Sequence, residues 1–178
     1  MKTPYKQGLL DGMCGFYSVI NAIHFLKSDF SVEKAERMLK SMILLKPHAF
    51  HRMYSDGTYH ENVISFVKHI ISKRGFKTFS YATPFHRQEF DDPYEFISCL
   101  SPLVDGKKSV AIVLVGGPWY HWTVISKIDT KKEVISLFDS CLDPEDMDSR
   151  LKLGDISLKK KPGKYELCPQ ETIIITRK

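Results

Sequence analysis

The chain has 178 residues, of which 43% are apolar and 26% charged, so its length and composition suit a single soluble globular domain. No apolar run is long enough to span a bilayer, and no apolar stretch follows the N-terminal charges as in a secretory signal. The formal charge of +5 is spread along the chain, and its densest lysine run precedes a Pro-Gly turn, which argues against a nucleic-acid partner.

The four cysteines stand singly, at positions 14, 99, 141 and 168. This spacing excludes the paired cysteines of a zinc ribbon or a redox dithiol, and it favours a reducing compartment. We therefore expect a cytoplasmic protein, in the bacterial cytosol or, for a delivered effector, in the host cytosol. We expect no cofactor and no metal, because His48 and His51 lack a third ligand type nearby.

Helical periodicity dominates the first half of the chain. The predicted helices cover, in order, about 14–27, 32–45, 58–74 and 93–103. Ser31 and Asp92 are predicted N-caps, and Thr58 with Glu61 has the form of a capping box. Pro47 is expected to close the second helix, and Gly75 the third.

Strand-type patterns dominate the second half, over 109–115, 120–128, 133–138 and 172–176. These patterns predict one α+β domain over 1–178, with a helical part at about 1–105 and a β part at about 106–178. In this fold class the helices pack on a mostly antiparallel sheet.

Cys14 lies where a glycine-containing turn becomes the first helix. The unpaired N–H groups and the positive dipole end of a helix N-terminus stabilise a thiolate, which is the nucleophilic form of cysteine. Gly15 leaves room for a carbonyl group to approach the sulfur. The Cys14 N–H and the side chain of Gln7 are candidate donors to the oxyanion that attack on an amide creates.

Two later segments supply partners for this thiol. A glycine-rich loop containing Gly117 delivers His121 to the start of a strand, and the next strand ends in Asp139. If the intervening turn is centred at Thr130, His121 and Asp139 are directly opposed, and the carboxylate can orient the imidazole. Cys141 lacks an evident base in the sequence, and we interpret it as a spectator.

The two tryptophans near the histidine receive different predictions. Trp119 belongs to the loop before His121 and is expected to line the substrate cleft. Trp122 is expected in the core, since aromatic residues at a strand start usually pack inside.

Together, Gln7, the segment Asp11-Gly12-x-Cys14-Gly15, His121-Trp122 and Asp139 resemble the motifs of the papain-like cysteine peptidase superfamily. The chain is similar to compact members, namely Josephin-type deubiquitinases, bacteriocin-leader peptidase domains and bacterial effector glutamine deamidases. The resemblance implies a papain-like fold and a Cys14-His121-Asp139 triad, with Gln7 in the oxyanion hole.

We therefore expect a cysteine hydrolase that cleaves an amide bond of a protein or peptide through a thioester, as a thiol protease or isopeptidase of deubiquitinase-like type. A protein glutamine deamidase would use the same thioester with ammonia as leaving group. A non-catalytic papain-like binding module is the alternative of another class. The sequence leaves the substrate and the oligomeric state open.

Overall fold

The computed structural model describes residues 2–8, 12–117, 120–141 and 149–178. Within them lie five helices: α1 Cys14–Leu26, α2 Val32–Leu45, α3 Pro47–Asp56, α4 His60–Ile71 and α5 Pro93–Leu100. Eight strands are β1 Phe79–Ala82, β2 Ser109–Gly116, β3 His121–Asp129, β4 Val134–Leu137, β5 Arg150–Lys152, β6 Ile156–Ser157, β7 Tyr165–Leu167 and β8 Ile173–Arg177. The predicted α+β class is confirmed.

Two of the predicted helix starts are confirmed. The Ser31 side chain accepts a hydrogen bond from the Lys34 N–H at 3.4 Å and caps α2. The Asp92 carboxylate accepts one from the Tyr94 N–H at 2.9 Å and caps α5. Both side chains satisfy N–H groups that the first turn leaves unpaired.

The predicted capping box at Thr58 is wrong. Helix α4 begins at His60 after the N-cap Tyr59, without a side-chain cap. Thr58 is buried instead, and its hydroxyl donates to the Gly12 carbonyl at 3.4 Å. Tertiary packing of this segment against the entry to α1 therefore outweighs the local capping pattern.

The predicted end of the second helix before Pro47 is confirmed, whereas helix α3 was not predicted and the predicted helix end at Gly75 is wrong. Pro47 follows α2, but it also opens α3 as its first residue, where a missing N–H costs nothing. The α3 sequence is polar, and Met53 is its one buried residue, so it lacks a strong apolar period. Helix α4 ends earlier than expected, at Ile71, and Gly75 lies in the 3-10 turn Arg74–Phe76.

The strands form one sheet in the order β1-β8-β2-β3-β4-β5. Strand β7 also pairs with the end of β2, and β6 lies parallel to β7, whereas the other pairings are antiparallel. Strand β1 comes from the helical half of the chain and pairs with β8. Alternate residues of the central strands face opposite sides of this sheet.

Each face of the sheet has its own apolar layer. Helices α1, α2 and α4 cover one face, where they pack on Ile112, Trp122, Val124, Ile173 and Ile175. Helix α5 and the loop before it cover the other face, with Ala111, Val113, Ile125, Ile135 and Ile174. This arrangement places the N-terminus of α1 close to the start of β3.

In the described part of the chain, no helix has the length and apolar character that crossing a membrane requires.

Candidate catalytic site

Cys14 is the first residue of α1, and its side chain is buried. Its neighbour Met13 occupies the N-cap position without a side-chain hydrogen bond, and the first turn contains no acidic residue. The N–H groups of this turn are therefore not neutralised by a local carboxylate.

Gly15 is required by the packing of the helix start. A Cβ atom at this position would lie 2.6 Å from the Thr58 side chain and 3.0 Å from Val63. Gly15 thus allows α1 to approach the segment that leads into α4. The structure places it on the core side of the helix start, so its expected role beside a substrate stays a prediction.

His121 and Asp139 meet as the sequence predicts, although not through the predicted register. The His121 Nε2 atom lies 3.0 Å from Asp139 Oδ1, and both side chains are buried. Ile125 pairs with Leu137, and a β-bulge follows between Ile125 and Lys127. Direct opposition of His121 and Asp139 would have paired Ile125 with Ile135 instead.

The error in register is an even number of residues, and this preserves the face on which each side chain lies. His121 and Asp139 are therefore diagonal neighbours across the hairpin, a separation that an imidazole and a carboxylate can bridge. Asp139 is also fixed from its own chain, because its Oδ1 accepts a hydrogen bond from the Cys141 N–H at 2.6 Å.

The charges of this pair stabilise each other. Burial lowers the pKa of His121, but hydrogen bonds with Asp139, Cys14 and Cys141 outweigh it and raise the pKa far above 6.5. Burial likewise raises the pKa of Asp139, but the hydrogen bond with His121, the charge of His121 and further hydrogen bonds, including one from the Cys141 N–H, together lower that pKa below 3.8. The pair is therefore an imidazolium and a carboxylate at neutral pH.

The expectation that Cys141 has no base beside it is wrong, while its role as a spectator in catalysis stays a prediction. Its sulfur lies 3.6 Å from His121 Nδ1 and 3.7 Å from the Gln7 side-chain oxygen. Since the Cys14 thiol also interacts with His121, two sulfurs share one imidazole. Cys141 is exposed whereas Cys14 is buried.

Gln7 reaches the site because two contacts hold its segment. Its N–H donates to the Ser140 carbonyl at 3.1 Å, which ties it to the chain beside Asp139. Two residues earlier, the backbone of Tyr5 exchanges two hydrogen bonds with the buried Asn21 side chain, at 2.8 and 3.1 Å. Asn21 thus anchors this segment to α1.

A cleft of about 210 Å³ opens beside Cys14. Its lining, apart from Cys14, is Asp56, Gly57, Thr58, Tyr59, His60, Leu114, Tyr120, Trp122 and Glu171. Tyr59 and Tyr120 are largely exposed at its rim, while Trp122 is only 2% exposed and forms part of the core as predicted.

Hydrogen bonding fixes the inner wall of this cleft. The Trp122 indole N–H donates to the Thr58 carbonyl at 2.6 Å, and the ring stacks on His60 with centroids 6.0 Å apart. Burial and the nearby charge of His86 lower the pKa of His60. His60 is therefore uncharged at neutral pH, unlike His121.

Of the remaining predicted cleft residues, Trp119 lies outside the described residues, and Gly117 does not line the cleft. Gly117 has φ 101°, and a Cβ atom at this position would overlap the Lys164 carbonyl oxygen. Gly117 lines a separate cavity with 160–164, so the structure gives it a conformational role in the loop before β3.

Three of the same side chains could hold a metal ion. Ligand atoms of His121, Asp139 and Cys141 all lie within 4.8 Å of one another. However, Asp139 Oδ1 already accepts hydrogen bonds from His121 and from the Cys141 N–H, and a metal would displace them. The donors are therefore arranged as a hydrogen-bonded network around an imidazolium.

Comparison with protein-family models, with curated proteins and with solved structures finds no match for this chain. The site must therefore be interpreted from its own geometry.

Sequence reasoning missed Cys141 and the wall formed by the α3–α4 segment. Cys141 lies two residues after Asp139, and alternate residues of an extended chain share a face, so this spacing was a usable signal. The cleft residues Tyr59 and His60 carried no such signal, because only the tertiary packing of α4 beside α1 brings them to Cys14.

Proposed function

We propose that this protein is a cysteine hydrolase of papain-like architecture that cleaves an amide bond of a protein or peptide. The observation that carries the proposal is the buried 3.0 Å contact of His121 with Asp139, on an imidazole that also interacts with the thiol opening α1. A nucleophile, a base and a group that orients the base are the components of a catalytic triad.

The mechanism begins from a thiolate of Cys14 beside the imidazolium of His121. The sulfur attacks the carbonyl carbon, and the developing oxyanion accepts hydrogen bonds from the Cys14 N–H and the Gln7 side chain. His121 then donates its Nδ1 proton to the leaving nitrogen, and the C–N bond breaks to give a thioester. Water then attacks the thioester carbonyl while the neutral His121 takes a proton from it, the C–S bond breaks to release the carboxylic acid, and the thiolate–imidazolium pair is regenerated.

Asp139 has a fixed role in this scheme. By accepting a hydrogen bond from the Nε2–H of His121, Asp139 leaves Nδ1 directed at the sulfurs, so the base presents the correct nitrogen. It also stabilises the positive charge that the imidazole carries in the resting state.

Selective alkylation tests the activated thiol. We expect iodoacetamide at neutral pH to modify Cys14 faster than Cys99 or Cys168. Cys168 is a suitable reference, because burial and the charges of Glu171 and Glu166 raise its pKa to about 11. Mass spectrometry of peptides measures each rate, and equal rates at Cys14 and Cys168 would contradict the proposal.

Matched cysteine variants identify the nucleophile, since two sulfurs lie at His121. Cys14→Ala should abolish hydrolysis, whereas Cys141→Ser should retain it. His121→Ala should reduce turnover by about 10³-fold or more, and Asp139→Asn by less. Activity that survives in Cys14→Ala but disappears in Cys141→Ser would assign catalysis to the other sulfur.

Substrate profiling separates isopeptidase or protease activity from deamidation. Ubiquitin-type and peptide electrophile probes report attack on a peptide or isopeptide carbonyl. Ammonia release from candidate proteins reports glutamine deamidation, for which the thioester chemistry is the same.

A further inference from the structure

A second cavity lies at the opposite end of α1 from Cys14. Its volume is about 410 Å³, which suits a ligand of small-molecule size. Lys27, the residue after α1, lines it. Since a helix rises 1.5 Å per residue, the 13 residues of α1 separate the cavity from Cys14 by about 20 Å.

Cationic side chains from three segments converge on this cavity. Lys27 follows α1, Lys34 and Arg37 belong to α2, and Lys73 follows α4. The remaining lining residues are Met38, Ser41, Gly75 and Phe76. The α2 members have the spacing i, i+3, i+4, i+7, so they share one face of that helix.

These positive charges exceed the local negative charge. Asp29 contacts the Lys27 and Lys34 ammonium groups at 3.2 and 3.1 Å. Those lysines, Lys34 first, lower the pKa of Asp29 to about 2, so one full negative charge remains there. The charges of Arg37 and Lys34 also help to lower the pKa of Glu33, one turn earlier on α2, after the hydrogen bond from Ser31. Within the described part of the chain, neither Arg37 nor Lys73 forms a close ion pair.

The C-terminal end of α1, which is the negative end of the helix dipole, does not repel an anion in this cavity, because other cations bind its carbonyl groups. The Lys2 ammonium donates to the carbonyls of His24, Phe25 and Lys27, and Arg177 donates to that of Leu26. The carbonyl groups at this end therefore have their own partners.

The cavity also has an apolar floor. Met38 is 3% exposed and Phe76 is half-buried, and both contribute to the main apolar layer. A ligand that is only an inorganic anion would leave this surface uncovered. A ring or alkyl body would cover it and gain from removing apolar area from water.

We infer that this cavity binds an organic phosphate, whose phosphate groups contact Lys34, Arg37 and Lys73 and whose apolar body packs on Phe76 and Met38. Guanidinium and ammonium groups are the side chains that bind phosphate oxygens most strongly. A nucleotide and a phosphoinositide headgroup share this chemistry. The site is independent of catalysis at Cys14.

Isothermal titration tests the inference with three probes: ATP, tripolyphosphate and adenosine. ATP should bind with one-to-one stoichiometry and at least about tenfold more tightly than either part alone, and Arg37→Ala/Lys73→Ala should weaken it about tenfold or more. The control Lys131→Ala/Lys132→Ala removes the same charge from the exposed turn between β3 and β4 and should change binding less than twofold.

Two results would overturn the inference. In the first, ATP does not bind, and the protein floats equally with phosphatidylcholine vesicles that contain a phosphoinositide and with those that lack it. The other is equal weakening by both double variants, which would indicate nonspecific attraction to net charge. Selective flotation on the phosphoinositide vesicles, lost in Arg37→Ala/Lys73→Ala, would identify a lipid headgroup as the source of the phosphate. Thermal unfolding of each variant verifies that it is folded.

Discussion

His121 is the residue on which the site depends, since it contacts a carboxylate through one nitrogen and faces sulfur with the other. The pairing with Asp139 stabilises the folded chain as well as the proposed chemistry. Because both groups are buried, their charges interact more strongly than a surface pair would.

This pairing predicts a pH-dependent stability. The raised pKa of His121 stabilises the fold fully below pH 6.5, an effect lost as pH rises through the folded-state pKa. The lowered pKa of Asp139 stabilises it fully above pH 3.8, an effect lost as pH falls through the folded-state pKa. Asp139→Asn should therefore lower the free energy of unfolding most between those two values, by about 2 kcal/mol.

Denaturant unfolding of the wild type and of Asp139→Asn, at pH values from below 3.8 to above 6.5, measures the difference in their free energies of unfolding. The control is Asp91→Asn, which removes the same charge from an exposed residue and should have a flat, small effect. A difference between wild type and Asp139→Asn that does not vary with pH would contradict the ion pair.

Metal ions provide a second prediction at this scale. We propose Cys14 as the nucleophile and Cys141 as a neighbouring sulfur, with neither bound to a resident metal ion. EDTA should therefore leave hydrolysis unchanged. Added Zn²⁺ should inhibit it, because imidazole, carboxylate and thiolate groups within 4.8 Å can all ligate zinc. Assays with graded Zn²⁺ and excess EDTA measure both effects, and loss of activity in EDTA alone would indicate a metal-dependent site.

The residues of the candidate catalytic site could be predicted from the sequence to different degrees. His121 and Asp139 could be paired from one hairpin and Cys14 placed at a helix start, because both are local features, but the approach of Cys14 to the hairpin depends on the tertiary fold. The bulge at Ile125 and Lys127 could not be foreseen, and it changed which residues oppose one another. The base beside Cys141 was missed because it is His121, which belongs to the neighbouring strand β3 and not to the residues around Cys141 in the sequence.

At the level of elements, the start of α1 depends on a glycine. Gly15→Ala should destabilise the fold by about 1–3 kcal/mol, because its Cβ atom would overlap the Thr58 side chain at 2.6 Å. Gly154→Ala is the matched control, since a Cβ atom there meets nothing within 4 Å. Thermal unfolding of both variants tests this, and equal melting temperatures would show that the Thr58 segment yields freely.

Elements with strong local signals were predictable, and those held by distant partners were not. Ser31 and Asp92 cap their helices through adjacent residues. Strands β5, β6 and β7 have two or three residues each, too few to show alternation, and they exist because neighbouring strands pair with them. Strand β1 depends in the same way on β8.

For the whole molecule, the strand order predicts a gradient of local stability. Strands β2, β3 and β8 have neighbours on both sides and apolar layers on both faces, so their amides should exchange slowest. Strand β5 lies at an edge and β6 has two residues, so both should exchange fastest. Hydrogen–deuterium exchange measures this order, and equal protection of β5 and β2 would contradict it.

The position of β8 has a consequence for the timing of folding. This strand enters between β1 and β2, and it supplies Ile173 and Ile175 to one apolar layer and Ile174 to the other. The β2–β3–β4 hairpins join nearby residues, whereas the β1–β8 pairing closes a long stretch of chain, which is entropically slower. A partly folded chain without β8 lacks a complete surface beneath α1, so the thiol and the imidazole acquire their final geometry only late. If Cys14 is the nucleophile that we propose, folding order delays the appearance of its reactive sulfur until the rest of the molecule is in place.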